Sequence, residues 1–316
     1  MSNKKLNIVL LFGGKSREHE VSLLSANSVY NALDKEKYNV YLIGVDKEGR
    51  WRLGQSEYDA FLNVSDPDKI SLNHNLPEII ALKKDDNLEL REVDSNQTFG
   101  SVDVVLPIMH GTYGEDGAIQ GFLELLDIAY VGAGVLGSAL GMDKDMMKRL
   151  LRDAGIKVAN FRTLKDQSFS NKDLQEIIKA LKFPIFVKPA NLGSSVGVSK
   201  AKKFEELKAA IDYAFQFDTK VILEEFIKGR ELEVSVLGTN TNPKASVVGE
   251  IKPNHEFYSY DSKYLDENGA ETFIPANIPE EISKKIQETS IEAFKILECY
   301  GLCRADFFMQ KMEQFY

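Results

Sequence analysis

Apolar positions along this chain follow two alternating periods. The run Leu6-Asn7-Ile8-Val9-Leu10-Leu11-Phe12 is short and nearly continuous, and its last five residues predict a strand buried on both faces. Helical spacing then puts Val21, Leu24, Val29 and Leu33 near one face of a following helix. A second strand is predicted over Tyr38–Val45. Another covers 102–108 and ends at His110-Gly111, followed by a helix over about 118–126 and a short strand at Tyr130-Val131. Strand, helix, strand in this order implies an α/β fold that begins with a doubly wound parallel sheet. Between about 46 and 100 the rhythm breaks. That stretch is polar and turn-rich, with Asp66-Pro67 and Asp85-Asp86-Asn87, and predicts an inserted hairpin or loop region.

The second half starts with a helix over about 144–154. Short strands and helices alternate over 161–225, and β-rich apolar segments follow at 232–237 and 245–251. Residues 254–275 are rich in Tyr, Asp, Lys and Gly. A loop that long in a compact domain is functional or disordered. A long amphipathic helix over about 280–297 and a strand holding Arg304 to Phe308 complete the pattern. There is no internal repeat and no low-complexity segment.

Composition removes several function classes. A chain of 316 residues suits two or three packed lobes. Its formal net charge of −9 offers no broad positive field to a nucleic acid, although ATP needs only a local cluster of Lys and Arg. Cys299 and Cys303 are the only cysteines, too few for a secreted disulfide framework, and the four histidines are too scattered for a zinc site. Lys4 and Lys5 before the first apolar run imitate a signal peptide. The run is short, however, and Gly13-Gly14 follows it without a cleavage site, so it reads as a strand. No run approaches the roughly 20 apolar residues that span a bilayer. A cytoplasmic protein is expected.

Four places could carry chemistry. A strand ending in Lys188-Pro189 leads to Gly193-Ser194-Ser195-Val196-Gly197, a loop whose backbone and hydroxyls can cradle phosphate oxygens; it reads equally as a plain Gly/Ser turn. A second apolar strand ends in Glu224-Glu225-Phe226-Ile227, with Glu231 beyond it. This suits an adenosine pocket, or a strand end with solvated acids. Arg304 and Asp306 alternate on a strand and so share a face. Locally a salt bridge is the simpler reading; an anion-stabilising cation beside a Mg²⁺ ligand is the other. Finally, Glu18 lies in the turn after the first strand and His110 at the end of a neighbouring one, where open α/β sheets bind ligands. The acids there can equally be partners of the helix dipole, and His110 a satisfied side chain.

The stretches GGKSREHEVS, PIMHGTYGEDGAIQG, YVGAGVLGSALGMDK, VKPANLGSSVGVS, EEFIKGRELEVSVLG, FYSYDSKY and GLCRADFF, in this order, resemble the D-alanine–D-alanine ligase family of ATP-grasp enzymes. The resemblance runs from about Leu10 to the last residue and is least characteristic over 54–98. It implies an N-terminal Rossmann-like (pre-ATP-grasp) substrate domain over 1–140 and an α+β ATP-grasp domain in two lobes, 141–228 and 229–316. It further implies that Lys144 and Lys188 touch the phosphates of ATP, with Ser195 in the loop that folds over them. Glu224, Phe226, Ile227 and Glu231 would hold the adenosine, and Phe257 and Lys263 would approach from the long loop. Asp306 would bind Mg²⁺ or Mn²⁺, and Arg304 would stabilise an oxyanion. Glu18, helped by His110, would hold the ammonium of the first D-alanine.

Tyr264 would bond to Ser194 and link through it to Glu18, favouring D-alanine over D-lactate or D-serine as second substrate. Residues 254–275 would close as a lid over an acyl phosphate. The implied setting is peptidoglycan synthesis by a homodimer. The family pattern continues beyond Tyr316 with a Glu-x-Asn metal block, a Gly- and Ser-containing stretch and a closing helix. The expectation is therefore a C-terminally truncated chain with an incomplete second lobe and weak or no activity. The alternatives are a ligase for D-lactate or D-serine and a catalytically dead nucleotide-binding relative.

Overall fold

The computed structural model describes residues 5–54, 60–63, 69–84, 87–165, 169–254, 269–311 and 314–316. The chain divides into two units, Met1–Val135 and Leu136–Tyr316.

The first unit is built on one mixed sheet. Strand β1 (Leu6–Gly13) is followed by helix α1 (His19–Ala32) and strand β2 (Tyr38–Val45). Then come β3 (Trp51–Gly54), β4 (Phe61–Leu62), β5 (Ser71–Leu72), β6 (Glu78–Lys84), β7 (Asn87–Glu92), β8 (Thr98–Val102), β9 (Val104–Pro107) and helix α2 (Ala118–Leu125). The seven-stranded order is β8-β7-β6-β3-β2-β1-β9, with β4 and β5 pairing apart. Strand β1 pairs in parallel with β2 and β9, and this is the doubly wound part the apolar runs predict. The insert is more regular than expected: β3, β6, β7 and β8 extend the sheet as antiparallel neighbours. The strand expected over 102–108 is divided at Asp103, and Tyr130 makes only a single bridge to Val105. Val9, Leu11, Leu10 and Phe12 are almost inaccessible because alternate residues feed separate cores on the two faces of the sheet.

The second unit begins within helix α3 (Val135–Met142), whose first residue belongs to the first unit. Helix α4 (Lys144–Asp153), strand β10 (Phe161–Leu164), helix α5 (Asn171–Leu181), strands β11 (Ile185–Pro189) and β12 (Ser199–Ala201), helix α6 (Phe204–Ala214) and strand β13 (Val221–Glu225) follow. Asp143 caps α4 by accepting from the backbone of Asp145 and Met146, and Ser170 with Asp173 forms a capping box on α5. Strands β10-β13-β11-β12 make a four-stranded antiparallel sheet. In α6, Leu207, Ala210, Ile211 and Ala214 recur at helical spacing and share a core with Ile185, Val187 and Leu223 of the sheet. Leu223 is fully buried there. Leu223→Ala should therefore cost about 2–5 kcal/mol of stability. Urea denaturation measures this, and a loss under about 1 kcal/mol would mean the face is not packed as described.

The remaining elements are β14 (Arg230–Thr239), β15 (Asn242–Ala245), β16 (Gly249–Pro253), β17 (Ala270–Phe273), helix α7 (Glu280–Ile296), β18 (Gly301–Lys311) and β19 (Gln314–Phe315). They form a second antiparallel sheet, β17-β16-β14-β18-β19, with β15 paired to β14. Residues 270–273 of the expected loop are thus a strand, paired with β16. Leu232, Val234, Phe307 and Met309 face the α7 residues Ile282 and Ile286. Cys299 and Cys303 are free thiols. No described helix is long and apolar enough to cross a membrane.

Candidate active site

The two faces of the four-stranded sheet differ because the pleat alternates. Ile185 and Val187 of β11 point into the helix-covered core, so Phe186 and Lys188 point the other way. Directly opposite residues in neighbouring strands share a face, and Glu224 lies opposite both Phe186 and Phe161. Lys188 is the next same-face position along β11 and reaches it: Nζ donates to Glu224 Oε2 at 2.7 Å. Lys148 of α4 approaches the other oxygen, with Nζ 3.2 Å from Oε1. That oxygen receives no well-directed hydrogen bond.

Burial alone would raise the carboxyl pKa of Glu224. The ammonium groups of Lys188 and Lys148 outweigh it and hold the group at about 2. Burial pushes the Lys148 ammonium pKa down, against the pull of Glu224. Beyond β13, the Phe226 ring lies 5.9 Å from that of Phe186, and Lys200 Nζ stands 4.1 Å over it. Ile227 beside it is buried. The result is a partly apolar face carrying three ammonium groups and one carboxylate, a composition that suits a nucleotide.

The Gly/Ser loop adjoins this face. Ser194 and Ser195 have φ of 48° and 60°, in the left-handed region that side chains avoid, and such strain collects at ligand clamps. The backbone turns back on itself, with Val196 N donating to Gly193 O at 3.0 Å and Val198 N to Ser195 O at 3.2 Å. Gly197 admits no side chain, since a Cβ there would stand 2.7 Å from Pro189 Cγ and 2.8 Å from the Phe217 ring. Lys144 Nζ donates to the carbonyls of Ala190 and Leu192 and so ties the start of the loop to α4.

On the second sheet, alternation again sorts the residues. Leu232, Val234, Phe307 and Met309 go inward, leaving Glu231, Glu233, Arg304 and Asp306 on the other face. Arg304 Nε donates to Asp306 Oδ1 at 2.7 Å, and Nη2 to Oδ2 at 3.0 Å. Glu233 lies directly opposite Asp306, its Oε1 3.5 Å from Arg304 Nη2. The shared face expected for Arg304 and Asp306 is present, and the two form the salt bridge that was the simpler local reading. Hard carboxylate oxygens suit Mg²⁺ or Mn²⁺. Among the described residues, no group of three or more His, Cys, Asp or Glu side chains is arranged to hold a metal ion. Asp306 would fit as one ligand of such a cation.

In the first unit, Glu18 and His110 lie at the carboxyl ends of the adjacent parallel strands β1 and β9. Glu18 is buried, and its N–H bonds Ser16 Oγ at 2.9 Å. Its carboxylate rests against Gly111, whose φ of 69° and lack of a side chain are both required, because a Cβ would collide with Glu18 Oε2. His110 Nε2 bonds Ser25 Oγ of α1 at 2.9 Å. Phe257, Lys263 and Tyr264 lie outside the described residues. Lys148, Lys200 and Glu233 were missed by the sequence reading. Only for Lys148 was there a signal: it stands four residues after Lys144, on a neighbouring part of the same helical surface.

With both sheets of an ATP-grasp domain present in the second unit, the class is an ATP-dependent ligase. Residues 7–133 match the family model for the D-ala D-ala ligase N-terminus, and residues 150–316 that for the D-ala D-ala ligase C-terminus. The chain belongs to the D-alanine–D-alanine ligase family. D-alanine--D-alanine ligase A of Chromobacterium violaceum is 48% identical over 305 residues, which is 96% of this chain and 83% of that protein. D-alanine--D-alanine ligase A of Escherichia coli K12 is 46% identical over 306 residues, 97% of this chain and 84% of that one. The solved D-alanine-D-alanine ligase of Coxiella burnetii superposes with a TM-score of 0.83 at 35% identity, covering 98% of this chain and 82% of that one. The VanG D-Ala:D-Ser ligase of Enterococcus faecalis gives 0.82 at 34% identity, covering 99% and 88%. These matches take in 96% to 99% of this chain and 82% to 88% of the length of the relatives.

Proposed function

We propose that this protein joins two D-alanine molecules to D-alanyl-D-alanine at the expense of ATP, through an acyl phosphate, for peptidoglycan precursor synthesis in a bacterial cytoplasm. A carboxylate oxygen of the first D-alanine attacks the γ-phosphorus and ADP leaves. The amine of the second D-alanine then attacks the acyl carbon, loses a proton, and inorganic phosphate departs. The first step brings one anion to another, so fixed cations are what the site must supply. Lys144 and Lys188 take that role toward the phosphates, with Ser195 in the covering loop. Glu224, Phe226, Ile227, Glu231 and Phe257 hold the adenosine. A divalent cation, Mg²⁺ or Mn²⁺, held in part by Asp306 neutralises phosphate charge. Glu18 and His110 orient the first substrate by its ammonium, and Arg304 donates to the oxyanion that forms at the acyl carbon. Ser194, Lys263 and Tyr264 act on the second substrate and the lid, and the working form is a homodimer.

The observation that supports this reading most directly is the Lys188–Glu224–Lys148 cluster beside the strained Gly/Ser loop, in a chain of this family. The test is phosphate release from ATP and Mg²⁺ with and without D-alanine. Release that depends on D-alanine is expected, and D-alanine-independent or absent release would overturn the proposal. D-lactate and D-serine as second substrates test the specificity assigned to Tyr264. Turnover with either at neutral pH equal to that with D-alanine would remove it.

A further inference from the structure

The cluster on β11 and β13 contains one more cation than its carboxylate needs. Lys188 and Lys148 each take one oxygen of Glu224, and all three side chains are largely buried, at 22%, 12% and 6% exposed. Lys188 is the most accessible of the three and makes the shorter contact, 2.7 Å against 3.2 Å. A buried carboxylate with a single counter-ion holds that ion tightly, because letting go strands a charge. With two, one can leave while the carboxylate stays paired.

We propose that Lys148 is a positioning residue for nucleotide binding: it is the standing counter-ion of Glu224, and by keeping that carboxylate paired it leaves Lys188 able to turn to a phosphate oxygen. The inference rests on the ATP-binding part of the proposed function and adds to it a residue that contacts no substrate. Three features favour the assignment. Lys148 is fixed to a helix whose first residue, Lys144, also ties down the phosphate loop. Its Nζ lies 5.8 Å from the centre of the Phe161 ring, so that ring and Glu224 both bound the space it occupies. Glu224 Oε1 accepts no well-directed hydrogen bond, so Lys148 acts on it as a charge rather than as a geometric anchor.

The distinguishing measurement is the affinity of a non-hydrolysable ATP analogue set against that of adenosine, by calorimetry, for the intact protein and for Lys148→Met and Lys148→Arg. Losing the standing counter-ion pins Lys188 to Glu224, so the phosphate-bearing ligand suffers more. Lys148→Met should weaken the analogue by roughly tenfold or more and adenosine by less than about threefold, with Lys148→Arg restoring most of the loss. In turnover, the KM for ATP should rise while kcat at saturating ATP changes less. Equal weakening of both ligands would show a merely distorted pocket and overturn the proposal, as would no weakening at all. Lys148→Gln carries the same comparison should the methionine variant not fold. If analogue binding behaves as expected but the intact protein releases no phosphate in response to D-alanine, the ligase reading fails and the role of Lys148 stands.

Discussion

Glu224→Gln is expected to lower folding stability by about 3–5 kcal/mol, because it keeps the shape of the side chain and leaves two buried ammonium groups without a counter-charge. The wild-type pKa gives an independent handle on the same quantity. Its depression from 4.5 to about 2 means the folded protein binds fewer protons at this site than the unfolded chain between those values. The stabilisation is complete above the unfolded pKa and is lost as pH falls through the folded one. A shift of that size corresponds to about 3 kcal/mol, part of which the unfavourable burial of Lys148 takes back. Urea denaturation at pH 7 should show the difference between wild type and variant, and a series between about pH 4.5 and pH 2 should show it shrinking. Other carboxylates are also held below their usual range, Asp145 among them: burial pushes its pKa up, and the hydrogen bonds from Arg149 and Thr163 outweigh it. The informative quantity is therefore the difference between the two proteins, not the slope of either. A gap under about 1 kcal/mol at pH 7 would mean that the cluster's attraction and desolvation cancel.

What was legible in the sequence was whatever a period or a motif encodes. The parallel strands β1 and β2 are apolar runs of the right length. The pairing of Arg304 with Asp306 follows from alternation alone, since residues two apart in a strand share a face. The Gly193–Gly197 loop was visible as composition, but the left-handed backbone of Ser194 and Ser195 was not, because serine carries no signal for it. Cross-strand neighbours were also hidden. Glu233 meets Asp306 only because β14 runs antiparallel to β18 in one register, and a shift of one residue would turn it to the core. Lys148 lies on a helix and Glu224 on a strand 76 residues later, and no local pattern joins them. The insert over 46–100 looked irregular because its strands are short and half exposed, so their alternation is diluted by polar residues on the solvent face.

Arg304→Lys should lower kcat by about 10²–10³-fold while leaving the KM for ATP within about threefold. The guanidinium is a planar fork, and two of its nitrogens already engage Asp306. A lysine keeps the charge but cannot bond a carboxylate bidentately and still direct a donor at an oxyanion. Both side chains are more than half exposed, at 56% and 58%, so stability should change by less than about 1 kcal/mol. That separates the effect from unfolding. Asp306→Asn should act differently, by raising the Mg²⁺ concentration needed for half-maximal rate, because an amide oxygen is a weaker ligand for a hard cation than a carboxylate. It also leaves Glu233, among the described residues, as a carboxylate facing Arg304. Steady-state kinetics across a Mg²⁺ titration distinguish the two variants. Should Arg304→Lys shift the metal dependence and Asp306→Asn shift only kcat, the roles given to the two residues would have to be exchanged. If neither variant alters turnover, the pair is the structural salt bridge that its spacing first suggests.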